Sequence, residues 1–251
     1  MMILSPLLLL CLWQLLTEVG VISLRSFTSP AQVLMALKEV VLGENLALRG
    51  SLFEHTAASL QEVFLGFLIA AAVGVPTGLL MGWSRIAFNL LDPIVELLRP
   101  IPPTAWVAIS LLLFGLGLQQ KLFVVFVATV SPILITSMDG VRTIDAILLK
   151  VARTHRASQF ETVTKIVLPA LLPSILTSFR VGLGMSWMVV VAAELIAAEA
   201  GLGFLLMQAY RIFRLDVMIA VMLMIGLLAF VMDRGLRLLQ RRLLAWEEGY
   251  R

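Results

Sequence analysis

Uncharged apolar runs recur along the chain at lengths that suit a lipid bilayer. Met1–Thr17, Val63–Ser84, Pro100–Gln120 and Leu122–Met138 contain no Asp, Glu, Lys or Arg; Ile166–Ala193 is interrupted only by Arg180, and Val217–Met232 is again uncharged. A helix needs roughly 20 mostly apolar residues to cross the hydrocarbon layer. Lipid offers the backbone no hydrogen-bond partners, so each run has to satisfy its own peptide groups as a helix. The pattern predicts an all-α polytopic membrane protein with six transmembrane helices.

Two details of the N-terminal part refine this. Met1-Met2-Ile3 lacks a basic residue and Glu18-Val19-Gly20-Val21 is a poor cleavage site, so the first run reads as an uncleaved helix rather than a signal peptide. The more polar stretch from Arg25 to Gln61 contains a helix start at Ser29-Pro30 and an apolar face of Val33, Leu34, Leu37, Val40 and Val41, which predicts an amphipathic helix at the membrane surface. The organisation expected is a first span with an external segment over 1–50, a core over 51–240 that carries a loop at 140–169, and a tail over 241–251.

Charge sets the orientation. With the N-terminus inside, Arg85, Arg142, Lys150, Arg153, Arg156, Lys165 and the tail arginines Arg234, Arg237, Arg241, Arg242 and Arg251 fall on the cytoplasmic side. Arg25, Lys38, Arg49, Lys121, Arg211 and Arg214 fall outside, so the asymmetry favours both termini in the cytoplasm.

Composition supports lipid as the solvent: 60% of residues are hydrophobic and 14% charged, with a mean hydropathy of +1.00, against about 45–50% and about 25% in soluble domains. The net charge of +3 has no accompanying basic and aromatic patch on a soluble stretch, so a nucleic-acid partner is not expected. Cys11 is the sole cysteine and His55 and His155 are far apart, which leaves no metal-ligand spacing.

The longest polar interruption of the second half, Asp139–Pro173, reads as helix, turn, helix. Ile144, Ile147, Leu148, Val151 and Ala152 form an apolar stripe, with Lys150, Arg153 and Arg156 largely off it. From pattern alone, a helix that docks into a groove on a cytoplasmic partner and a basic loop lying on anionic headgroups are equally supported.

This stretch resembles a known motif. Lys150-Val151-Ala152-Arg153-Thr154-His155-Arg156, followed by Ile166-Val167-Leu168-Pro169, keeps the spacing of the EAA loop of ABC-importer permeases. Lys150 stands for the motif's Glu, Val151 for its first Ala and Arg156 for its Gly, a residue that reaches turn geometries others adopt only at a cost. Leu91–Pro103, Val191–Ile196, Gly201–Phe204 and Leu238–Leu243 are similar to the taurine, alkanesulfonate and nitrate/bicarbonate branch of that family.

The resemblance implies the type I ABC-importer permease fold, a homodimer of such chains, two cytoplasmic ABC ATPase subunits and an extracytoplasmic solute-binding protein. It also implies that Asp145, Ile147, Leu148, Lys150, Val151, Ala152, Arg153, Thr154, Arg156, Ala157, Ile166, Leu168 and Pro169 form the contact with the ATPase. No G-x-x-x-x-G-K-[ST] occurs, so ATP and Mg are expected on the partner subunits, and this chain is expected to bind no cofactor and catalyse no reaction.

Within the spans, Pro100, Pro102 and Pro103 remove three backbone donors, which predicts either a discontinuous helix lining a cavity or a buried packing kink. With the third span beginning near Ile86 and the fifth near Ile166, Arg99 and Arg180 fall roughly 20 Å in, where a charge is costly unless paired or hydrated. Glu96, one turn before Arg99, offers a partner; Arg180 has no carboxylate within its own helical turns. Two readings stand for each arginine, an anion contact or a structural ion pair.

Glu194 reads as an outer gate or binding-protein contact, or as a solvated carboxylate at a helix end. Trp106 and Trp187 line a cavity or pack, Trp83 and Trp246 suit interfacial anchors, and Gly182, Gly184 and Ser186 form a stripe for close helix packing. The translocation path expected therefore involves Glu96, Arg99, Pro102, Pro103, Trp106, Arg180, Trp187 and Glu194, for a small organic or inorganic anion. A neutral or heterocyclic nutrient precursor, or a scaffold or channel without an energy source, are the alternatives.

Overall fold

The computed structural model describes residues 4–19, 28–43, 49–144, 147, 150, 152 and 154–244. Every regular element among them is helical: α1 (Leu4–Glu18), α2 (Pro30–Leu42), α3 (Leu52–Trp83), α4 (Arg85–Leu98), α5 (Ala105–Phe114), α6 (Leu118–Arg142), α7 (Gln159–Thr162), α8 (Leu168–Ile196), α9 (Leu202–Arg211) and α10 (Leu215–Leu243). A π-helical segment, Val163–Val167, joins α7 to α8. Among the described residues, four continuous helical stretches are long and apolar enough to cross a membrane: α3, α6, the stretch from Phe160 to Ile196, and α10.

The remaining two apolar runs are built differently. The first forms α1, 15 residues long among the described residues. The run Pro100–Gln120 is no single helix: residues 99–104 are turns, α5 has 10 residues, and Gly115 and Gly117 take positive φ of 69° and 147° before α6 begins. The helical path toward α5 begins instead at Arg85, on α4, which carries Asp92 and Glu96 and ends at the Arg99 cap. An uncharged run marks a span only where every face meets lipid or protein; α4 has a polar face, so that criterion missed it.

The chain divides into two compact units. One comprises Met1–Leu60 with Glu194–Leu228. In it, α2 starts as its sequence directs: Ser29 accepts from the Gln32 N–H, Gln32 accepts in turn from the Ser29 N–H, and Pro30 opens the helix. Gly43 ends it with a left-handed φ of 69°. The buried face is Val33, Ala36 and Val40, whereas Leu34 and Val41 are exposed, so the apolar face read from the sequence is rotated toward a narrower i, i+3, i+7 stripe. Arg214 binds both Asp216 and Glu39, and these carboxylates, Asp216 foremost, raise the guanidinium pKa above its ordinary value.

The other unit comprises Gln61–Ala193 with Ala229–Arg251. Its centre is a seam between α3 and α6. A Cβ at Gly78 would sit 2.3 Å from the Leu134 carbonyl oxygen, and one at Gly66 would sit 2.5 Å from Val125 Cγ1. Glycine at these positions lets the two helices approach to backbone contact. On the other flank of α6, Gly182 of α8 faces Thr129 and Ile133, and the Ser186 hydroxyl lies 3.1 Å from that of Thr129. Gly184 meets open space, so the small-residue stripe works through Gly182 and Ser186. Lys121, counted from the sequence among external charges, is buried on the first turn of α6 and pairs with the buried Glu62 of α3 at 2.5 Å.

Candidate functional site

The broken backbone after α4 opens onto a cavity of about 480 Å³. Pro100, Pro102 and Pro103 lack N–H groups, so the turn closes through the few donors left: Ile101 N–H to Leu98 O and Ala105 N–H to Pro102 O. Arg99 caps α4, its own N–H bonded to Val95 O. Arg99, Ile101 and Pro103 line one wall, α6 supplies Ser131, Pro132, Ile135 and Thr136, and α8 supplies Val181 and Met185. Pro132 cannot donate to the Ala128 carbonyl one turn earlier, and both residues line this cavity. The discontinuous helix expected from the prolines therefore does border a cavity.

The two arginines expected at mid-depth differ. Arg99 makes no ion pair with any described residue; Glu96 is exposed on the same helix without reaching it. Arg180 donates from Nε to Asp233 Oδ1 at 2.8 Å, and Arg237 donates to Oδ2 of the same carboxylate at 2.8 Å. Arg180 thus has a partner across helices, on α10, that spacing along its own helix could not reveal. Neither Arg180 nor Glu96 lines the cavity, although Val181 beside Arg180 does.

The other residues expected on the path do not line this cavity. Pro102 is exposed. Trp106 packs edge-on against Phe123, with ring centroids 6.2 Å apart, and Trp187 is 3% exposed; the indole N–H of each is buried without a hydrogen-bond partner among the described residues. Glu194 is 1% exposed rather than solvated. Its carboxylate accepts from the Ser59 hydroxyl at 2.6 Å and from the Gly203 N–H at 2.7 Å, at the start of α9, where it complements the positive helix end.

A Cβ at Gly201 would overlap this carboxylate, and the φ of 124° there also favours glycine. Nearby, Nδ1 of the buried His55 accepts from the Gly201 N–H at 3.1 Å, and the Ser59 hydroxyl accepts from the Leu202 N–H. Sequence reasoning missed His55, Ser59, Glu62 and Asp233. The one available signal was position: each sits in a short polar stretch at the edge of a long apolar run.

In the loop between α6 and α8, Asp145, Leu148, Val151 and Arg153 lie outside the described residues, as does Trp246. The apolar stripe divides. Ile144 packs with Val141, Val167 and Leu171, Ala152 is 3% exposed, and Ile147 is 63% exposed. Lys150, Thr154 and Arg156 are exposed and Ala157 half-buried. Arg156, at the position of the motif's Gly, takes a left-handed φ of 53°, and the Ala157 N–H reaches back to Ala152 O at 3.0 Å. The turn that glycine normally supplies is kept by an arginine. Ser158 and Glu161 then cap α7 reciprocally, and Ile166, Leu168 and Pro169 lead into α8.

Comparisons with known proteins agree with this architecture. The family model of binding-protein-dependent transport system inner membrane components matches residues 74–245. The taurine transport system permease protein TauC of Escherichia coli is 37% identical over 238 residues, 95% of this chain and 86% of that protein. The bicarbonate transport system permease protein CmpB of Synechococcus elongatus is 40% identical over 194 residues, 77% of this chain and 70% of that protein. Among solved structures, a chain of the MetNI methionine ABC transporter in an inward-facing conformation superposes with a TM-score of 0.68 at 21% identity, covering 76% of this chain and 95% of that one. The all-helical arrangement is therefore the type I ABC-importer permease fold, and the chain belongs to the family of binding-protein-dependent transport system inner membrane components, as a multi-pass permease subunit of an ABC importer.

Proposed function

We propose that this permease carries a small anion, of sulfonate or bicarbonate type, and that the Arg99 cavity is part of its path. The observation that supports this reading is an arginine without a carboxylate partner among the described residues, at the break that ends the amphipathic helix α4, beside a cavity of about 480 Å³. A guanidinium there offers planar donors suited to an oxyanion. The hydroxyl of Ser131 adds a donor, while Thr136 spends its own on the Pro132 carbonyl. Similarity to taurine and bicarbonate permeases points to the same substrate class.

In this reading the chain pairs with a second copy, both termini lie in the cytoplasm, and the segment around Ile147 and Ala152 docks onto an ABC ATPase that carries ATP and Mg. Ile147 is an exposed apolar side chain on a segment anchored by buried Ala152, as a docking surface requires. An extracytoplasmic binding protein delivers the solute.

Uptake by proteoliposomes containing the whole transporter tests the path. Arg99→Gln is expected to lower uptake of the anion about tenfold, the loss of one charge-assisted contact, while the complex still assembles. Unchanged uptake at equal protein would remove Arg99 from the path. Ile147→Asp is expected to abolish ATPase co-purification; retained binding would refute the docking role.

A further inference from the structure

The polar residues of α4 are not scattered. Arg85, Asn89, Asp92, Glu96 and Arg99 follow one another at spacings of four, three, four and three, which places them on a single arc of the helix. Phe88, Leu91 and Val95 occupy the neighbouring arc and pack on Met81, Leu134 and Met138. Ile86, Leu90, Ile94 and Leu97 are exposed on a third arc. From Arg85 to Arg99 the polar arc climbs about 21 Å at 1.5 Å per residue, most of the roughly 30 Å of hydrocarbon. Such a stripe cannot face lipid without a large penalty.

The arc ends in a cavity at each extremity. Arg99 lines the one already described. At the other end, Trp83, Arg85, Phe88, Asn89 and Arg142 line a second cavity of about 540 Å³. Two guanidiniums converge on it, and neither Arg85 nor Arg142 has a carboxylate partner among the described residues, in contrast to Arg180, Arg214 and Arg237. Arg142 is steadied instead by the face of Phe88, 4.2 Å from the ring centroid, which leaves its N–H edges available. Asp139, one turn before Arg142, is outside the lining and unpaired with it.

We propose that this second cavity binds an oxyanion through Arg85, Arg142 and the Asn89 amide, at the inner end of the α4 polar arc. The inference rests on the anion-path reading and adds a station to it. Asp92 and Glu96 lie between the two stations on the same arc and repel an anion. A solute released from Arg99 is thereby separated from the inner site by an electrostatic barrier. The ligand chemistry is that of a sulfate, sulfonate or phosphate oxyanion, free in water or borne by a lipid headgroup.

A single reporter thiol tests this. In the full chain, Cys11→Ser removes the one native cysteine and Trp83→Cys places a thiol in the cavity while Arg85, Asn89 and Arg142 are kept. In phosphatidylcholine nanodiscs, a negatively charged methanethiosulfonate is expected to react about tenfold faster than a positively charged one, since local potential concentrates the anion. Arg85→Gln with Arg142→Gln should erase the preference, and the paired Lys variants should restore it. Protection by millimolar sulfate in phosphatidylcholine identifies a free oxyanion. Protection only when phosphatidylglycerol replaces part of the zwitterionic phosphatidylcholine identifies an anionic lipid headgroup. Equal rates for the two reagents, or a preference that survives the Gln variants, would overturn the proposal. Because labelling does not require transport, it stands or falls separately from the Arg99→Gln uptake result.

Discussion

The α3–α6 seam and the α4–α5 arm treat charge in opposite ways. In the seam, Lys121 and Glu62 are buried against each other between helices held in backbone contact by glycine. On the arm, Arg85, Asp92, Glu96 and Arg99 lie on one face of a helix that stops at a proline turn, and none forms an ion pair among the described residues. A charge at membrane depth must be either paired or wetted. The seam pairs its charges and so closes; the arm leaves them unpaired, with Arg99 and Arg85 each beside a cavity.

The sharpest way to break this contrast is at Gly78. Gly78→Leu drives a side chain into the Leu134 carbonyl, and backbone cannot yield as a flexible side chain does. Loss of folded protein after membrane extraction, seen as aggregation on size exclusion, is expected. Next comes Glu62→Gln, which removes the carboxylate charge beside a buried ammonium and is expected to cost about 3–5 kcal/mol. A thermal-melting assay should show the loss and its partial recovery in Glu62→Gln with Lys121→Met. If the single variant melts as wild type does, the seam pair is solvated and the contrast fails.

Arg180→Gln sharpens the comparison from the other side. Asp233 keeps Arg237, and the pair is partly exposed, so a loss of only about 1 kcal/mol is expected, with uptake close to wild type. A fall in uptake matching that of Arg99→Gln would move Arg180 to the path. The smallest effect is expected at the Arg156 turn. Arg156→Gly relieves a left-handed residue of about 1 kcal/mol, offset in part by the greater freedom of glycine in the unfolded chain. ATPase stimulation should be retained and melting should shift by no more than a few degrees.

Much of this architecture was legible in the sequence, because lipid enforces a simple code of apolar runs. The prolines at 100, 102 and 103 announced a broken helix, and the loop motif survived three substitutions because its spacing, from Ala152 to Pro169, sets the geometry. What escaped were relations between helices. The Arg180–Asp233 and Lys121–Glu62 pairs join positions 53 and 59 residues apart, which no periodicity along one helix encodes. The α4 arm was legible in part: a third span beginning near Ile86 matches α4, but its polar arc escaped because the charges were read as interruptions of an uncharged run.

The glycine contacts between α3 and α6 also bear on movement. Where a carbonyl of one helix fills the space that a methyl group would occupy on the other, there is no room for side chains to re-pack and hence no soft coordinate for sliding. The pair behaves as a single strut. Any alternation of access has to pivot around it, at places such as the six-residue turn between α4 and α5 where the backbone has already given up its ladder.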